Sequence, residues 1–165
     1  MATRHLRLPP AVSRAVSKFL GRLCALEGPE LAAAVGRVRA TGGDPRALDI
    51  AVHFLVRRLR GRDPAKQAKA AQVLELLGPV AAPQLVADLY QTPNAAFRLR
   101  LVGVLAGIGP AAREVVSTAL IGLLANQPDA ALRDAAWAGL MRLGPACGAE
   151  VADRHDRDHE ADADS

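Results

Sequence analysis

Four histidines are the residues best suited to proton transfer or metal binding in this 165-residue chain. His155 and His159 stand four apart, with Asp156 and Asp158 alongside. On a helix the pair would share one face, a geometry able to hold a divalent ion. The segment from Asp153 to Ser165 has no apolar stripe to bury, so preformed ligands and a second shell are not expected, and it reads as a solvated acidic tail. His53 lies in the strongly apolar stretch from Leu48 to Leu59, where a hydrogen-bonded structural histidine is the ordinary case. The sequence nominates no carboxylate or nucleophile to make it a general base. Gly42-Gly43-Asp44-Pro45 follows no predicted strand and reads as a helix end, a turn and a new cap instead of a phosphate loop. No metal, cofactor or catalytic residue is expected, and the chain is read as a non-enzyme.

Arginines carry the more informative pattern. Arg37 and Arg39 close one predicted helix, and Arg57, Arg58, Arg60 and Arg62 close the next. Cations there can simply complement helix dipoles on solvated faces. Alternatively, helix ends from neighbouring hairpins line up and gather these six into a basic rim for phosphates or acidic protein surfaces. Residues 1–74 hold 14 Lys or Arg against 5 Asp or Glu, and residues 126–165 hold 4 against 9, so the charge is lopsided along the chain. An acidic tail able to fold back on the basic face is one consequence of that split.

The elements that must position these residues follow from composition and spacing. Aromatic residues make up 3% of the chain, which leaves Ala, Leu and Val to fill the core and favours close-packed helices over sheets. Cys24 and Cys147 have no paired ligand spacing and read as small core hydrophobes in a reducing, cytoplasmic setting. The charge-free runs 101–112 and 115–128 are shorter than the roughly 20 residues of a membrane span. The basic first 26 residues place Val12, Val16, Phe19, Leu20 and Leu23 on one face and Arg14, Lys18 and Arg22 on another, as a first structural helix would.

Three times the chain writes an apolar residue, Gly and Pro: Leu77-Gly78-Pro79, Ile108-Gly109-Pro110 and Leu143-Gly144-Pro145. Glycine past a helix end takes the left-handed conformation and proline pre-sets the next first turn, so each dipeptide ends one helix and begins another. Leu74, Leu105 and Leu140 precede each glycine by four residues, and Ala71, Val102 and Trp137 by seven, which predicts one buried stripe repeated on the first helix of each hairpin. Leu85 with Leu89 and Val116 with Leu120 form the matching stripe of the second helices, whereas the third copy offers Val151 and then His155, as a terminal repeat would. Asp44-Pro45, Asp63-Pro64, Thr92-Pro93 and Gln127-Pro128 are read as helix starts. Nine helices follow, near 10–26, 29–40, 45–60, 64–77, 80–90, 93–108, 110–125, 128–143 and 145–153. Gly28-Pro29 is a candidate divergent copy of the turn.

On these residues, segments 63–90, 92–125 and 127–153 resemble HEAT repeats, particularly the short bacterial class similar to phycobilisome-lyase repeats. The resemblance rests on Asp63-Pro64 with Lys69, Thr92-Pro93 with Arg98, Gln127-Pro128 with Arg133, and the turn from Leu74 to Pro83. Only Asp63 keeps the acid usual at the start of the first helix. Counted from Asp63, Thr92 and Gln127 to the turn glycine, the copies run 15, 17 and 17 residues. The resemblance implies an all-α, right-handed α-α superhelix, a HEAT-like solenoid forming a single domain over 1–153. Its repeats are clear over 63–153 and divergent over 1–62, with a tail at 154–165. It also implies a protein-binding scaffold, presenting a concave ridge of second helices to another protein. The alternative is a sequence-nonspecific nucleic-acid binder that uses the basic N-terminal half.

Overall fold

The structure is a computed structural model that describes residues 10–40, 45–126 and 128–144. It is all-α: the described residues hold eight α-helices, two 3-10 segments and no strand. The helices are α1 (Pro10–Ala25), α2 (Gly28–Ala40), α3 (Pro45–Arg60), α4 (Pro64–Leu77), α5 (Ala82–Gln91), α6 (Ala95–Ile108), α7 (Arg113–Asn126) and α8 (Ala130–Leu143). The ninth expected helix, at 145–153, the acidic tail with His155 and His159, and Cys147 lie outside the described residues. Two compact units divide the chain, Met1–Leu76 and Leu77–Ser165, with the division in the last turn of α4.

In the first unit α1 packs against both α2 and α3. Leu20, Leu31, Leu55 and Leu59 are fully buried, each such burial stabilising by about 1.5–3 kcal/mol. Of the apolar face read on α1, Leu20 and Leu23 are buried but Phe19 is exposed. Phe19 sits one residue, about 100° of helix rotation, from Leu20, and so falls at the rim of that face.

The second unit is built by repetition. α6 packs on α8, α5 on α7, and the corner η1 (Gly78–Val80) on the corner η2 (Gly109–Ala112). The Gly-Pro corners are therefore single 3-10 turns, and α5 and α7 start a few residues later than the sequence suggests. Gly78 and Gly109 have φ of +61° and +76°, values that L side chains rarely adopt, and the Ala81 N–H donates to the Gly78 carbonyl at 3.0 Å to close the first corner. Phe97, Leu101, Leu105, Leu120 and Leu123 are fully buried.

Two helix starts move by two residues. Asn94 and Asp129, not Thr92 and Gln127, cap α6 and α8: the Asn94 side chain accepts from the Phe97 N–H at 2.9 Å, and Asp129 accepts from Ala131 at 3.0 Å and Leu132 at 3.4 Å. Asp63 caps α4 in the same way, accepting from Ala65 at 3.1 Å and Lys66 at 3.2 Å. From Asp63 to Gly78, Asn94 to Gly109 and Asp129 to Gly144 the chain advances fifteen residues each time. Repeats that looked unequal by two thus share one register. Gln67, not Lys69, then becomes the counterpart of Arg98 and Arg133, since all three N–H groups donate to the carbonyl of their cap residue.

Candidate functional site

A concavity lies in the second unit, along α5 and α7. These helices run side by side in the same direction, because η1 meets η2 at their starts while Tyr90, near the end of α5, reaches the middle of α7. The Tyr90 hydroxyl donates to the Ala119 carbonyl at 3.1 Å. A Cβ at Gly122 would stand 2.8 Å from that hydroxyl, so a glycine is what admits the phenol. Val86, Tyr90, Glu114, Val115, Thr118 and Ala119 line a depression of about 430 Å³. A second depression, of about 580 Å³, continues toward the corners between Pro79, Ala82, Pro110 and Ser117, sharing Glu114, Val115 and Thr118 with the first. Together they form one trough.

Its apolar groups are exposed: Tyr90 by 54% and Val115 by 44%. Leu85 and Leu89 of α5 and Val116 and Leu120 of α7 are turned to the core. Val86, Tyr90 and Val115 are apolar residues of the lining, and Arg113 and Glu114 bring one charge of each sign. Such a trough can take apolar side chains of a partner.

No family model, curated protein or solved structure matches the chain. The trough must therefore be read on its own chemistry.

The six arginines nominated from the sequence all fall in the first unit. Arg37 is exposed on α2, and Arg39 lies in the last turn of α2. Arg57 and Arg60 are exposed on α3, and Arg62 is exposed beyond its end. Arg58 is turned away from this group: half-buried, it donates through Nη1 to Cys24 Sγ at 3.2 Å, tying α3 to α1. The structure thus joins Arg57 and Arg60 on one face and assigns Arg58 to packing.

His53 is exposed, contrary to the expectation of a structural core histidine. Arg46, Asp49, His53, Arg57 and Arg60 recur at spacings of three and four and are all exposed, so they form one polar stripe along α3. Asp49 is a carboxylate one turn from His53 that the sequence reading passed over. The apolar run from Leu48 to Leu59 obscured this, because its hydrophobic residues supply the inner face of an amphipathic helix while a few polar ones define the outer face. Among the described residues no group of three or more His, Cys, Asp or Glu is placed to hold a metal ion.

Trp137 departs from the expected buried stripe, and Met141, one turn on, is exposed with it. Val102, the register equivalent of Trp137 on α6, is 1% exposed, whereas Trp137 is 47% exposed. The α6 face that bears Val102 and Ala106 is covered by α8, where a Cβ at Gly139 would come within 3.2 Å of the Ala106 Cβ. The same face of α8 has no described element upon it. The stretch Ala95–Asn126, spanning α6, η2 and α7, has the length and hydropathy of a membrane span, but half of its most apolar window is buried inside the fold, as in a core helix.

Proposed function

We propose that this protein is a non-catalytic interaction scaffold whose second unit is a short HEAT-like superhelix, and that the α5–α7 trough receives an apolar segment of another protein. The observation carrying this reading is the pair of exposed apolar groups, Tyr90 and Val115, lining a trough between two parallel second helices. The repeated cap-to-glycine register and the corner-on-corner packing of η1 and η2 support the superhelix. Arg113 and Glu114, which both line the trough, offer a partner segment one charge of each sign beside the apolar groups. Free Cys24 suits a reducing cytoplasm.

The direct test is a photo-crosslinking amino acid at Val115 in the full chain, expressed in source cells, with the same group at exposed Ala33 of α2 as control. Protein adducts specific to position 115, lost on Val86→Glu in the same trough and indifferent to nuclease, support the reading. Equal adducts at both positions would sink it.

A second reading rests on the α3 stripe. Arg46, Arg57 and Arg60 offer positive charge along one exposed face, which suits a phosphate backbone. It requires duplex affinity that falls steeply with salt and is lost on Arg57→Glu.

A further inference from the structure

The repeat register that relates α6 to α8 identifies an open face and indicates what covers it. Val102 and Ala106 stand seven and three residues before Gly109, and both are buried, at 1% and 6% exposure. Trp137 and Met141 stand at the same places before Gly144, and are 47% and 56% exposed. They replace smaller residues by the largest apolar side chain in the chain and by a flexible thioether able to fill irregular space.

The charges around this face are arranged symmetrically. Asp134 lies four residues before Ala138 and Arg142 four residues after it, and all three are exposed on α8. Laid antiparallel on an identical helix, with the crossing at Ala138, α8 brings each Asp134 opposite the other copy's Arg142. A small residue at the crossing allows close approach of the two axes. An isologous contact requires this self-complementary order of acid, small and apolar residues, then base. Laid parallel, the same face would set like charges together.

We propose that α8 is a homodimerisation helix, pairing antiparallel about Ala138 with α8 of a second copy, with Trp137 and Met141 of each copy forming the apolar centre and Asp134 and Arg142 the charged ends. A reciprocal contact buries both copies of the exposed tryptophan at once. The charged ends fix its direction.

The test uses the full chain. Trp137 is the only tryptophan, so its emission reports this face alone. Sedimentation equilibrium over a range of concentrations is expected to show a monomer–dimer equilibrium, with the emission shifting to the blue as dimer forms. Asp134→Arg and Arg142→Asp are each expected to weaken association about tenfold, through two like-charge contacts per dimer. The double variant, which restores opposite charges in reversed order, is expected to recover it. Met141→Lys is expected to leave a folded monomer. Three results would each overturn the proposal: a monomer at every concentration, whether Trp137 is open to acrylamide or shielded by the chain's own C-terminal segment; a dimer indifferent to Met141→Lys; or a double variant no better than the single ones.

Discussion

The Tyr90 hydroxyl and the Cα of Gly122 share a space too small for a methyl group, since a Cβ at 122 would approach the oxygen to 2.8 Å. This close approach sets the far wall of the α5–α7 trough. Gly122→Ala gains up to about 1 kcal/mol in helix propensity. It displaces a phenol whose hydrogen bond is worth about 0.5–1.5 kcal/mol. Thermal denaturation is therefore expected to report a net change within about 1 kcal/mol, while the near-UV circular dichroism of the single tyrosine changes and crosslinking from position 115 falls. A large loss of stability would mean that the residue serves the core and not the trough.

Gly139 presents the opposite balance. Its added Cβ would meet Leu120 Cδ1 at 2.9 Å and the Ala106 Cβ at 3.2 Å, so α8 closes on α6 and α7 through a glycine. Gly139→Val overpacks that junction and is expected to destabilise by about 1–3 kcal/mol in urea denaturation. Unchanged stability would show that the three helices do not meet there.

The caps discriminate between two registers. Asn94→Ala and Asp129→Ala are each expected to lower stability by about 1 kcal/mol, because each removes the acceptor for first-turn N–H groups. Asn94→Asp should be nearly neutral, and Thr92→Ala should have less effect than Asn94→Ala. The reverse order would restore the cap at Thr92.

Asp63 supplies a pH dependence. The Lys66 ammonium, hydrogen-bonded to its carboxylate at 2.9 Å, and the first-turn N–H groups of α4 hold its pKa below the usual 3.8. The folded value being depressed, the stabilisation is complete above the unfolded pKa and is lost as pH falls through the folded one. Asp63→Asn keeps the cap but does not titrate. The stability advantage of the native chain over this variant is expected at pH 6 and should vanish near pH 2, as read from denaturation midpoints. A pH-independent difference would exclude the carboxylate as its source.

Local sequence carried much of the local structure. Each expected helix within the described residues is present, with ends displaced by a few residues. The displaced ends are instructive: Thr92-Pro93 and Gln127-Pro128 resemble starts because proline suits a first turn, yet Asn94 and Asp129 have the better acceptors two residues on. Only the hydrogen bonds distinguish these alternatives. Among the candidate site residues, Arg57 and Arg60 are exposed on α3, whereas Arg58, although adjacent to Arg57, is drawn to Cys24 across 34 residues of sequence.

By itself the sequence determined the all-α class, the glycine corners and part of the inner stripes of the helices, because left-handed glycines, capping side chains and helical periodicity act over a few residues. Tertiary structure decided which outer faces stay open. Val102 and Trp137 occupy equivalent places before their corners, yet one is sealed by α8 and the other faces outward. Tyr90 lines a trough because Gly122, remote in sequence, leaves room for it. Burial is a property of neighbours, and those neighbours are chosen by packing between elements and not by periodicity within one.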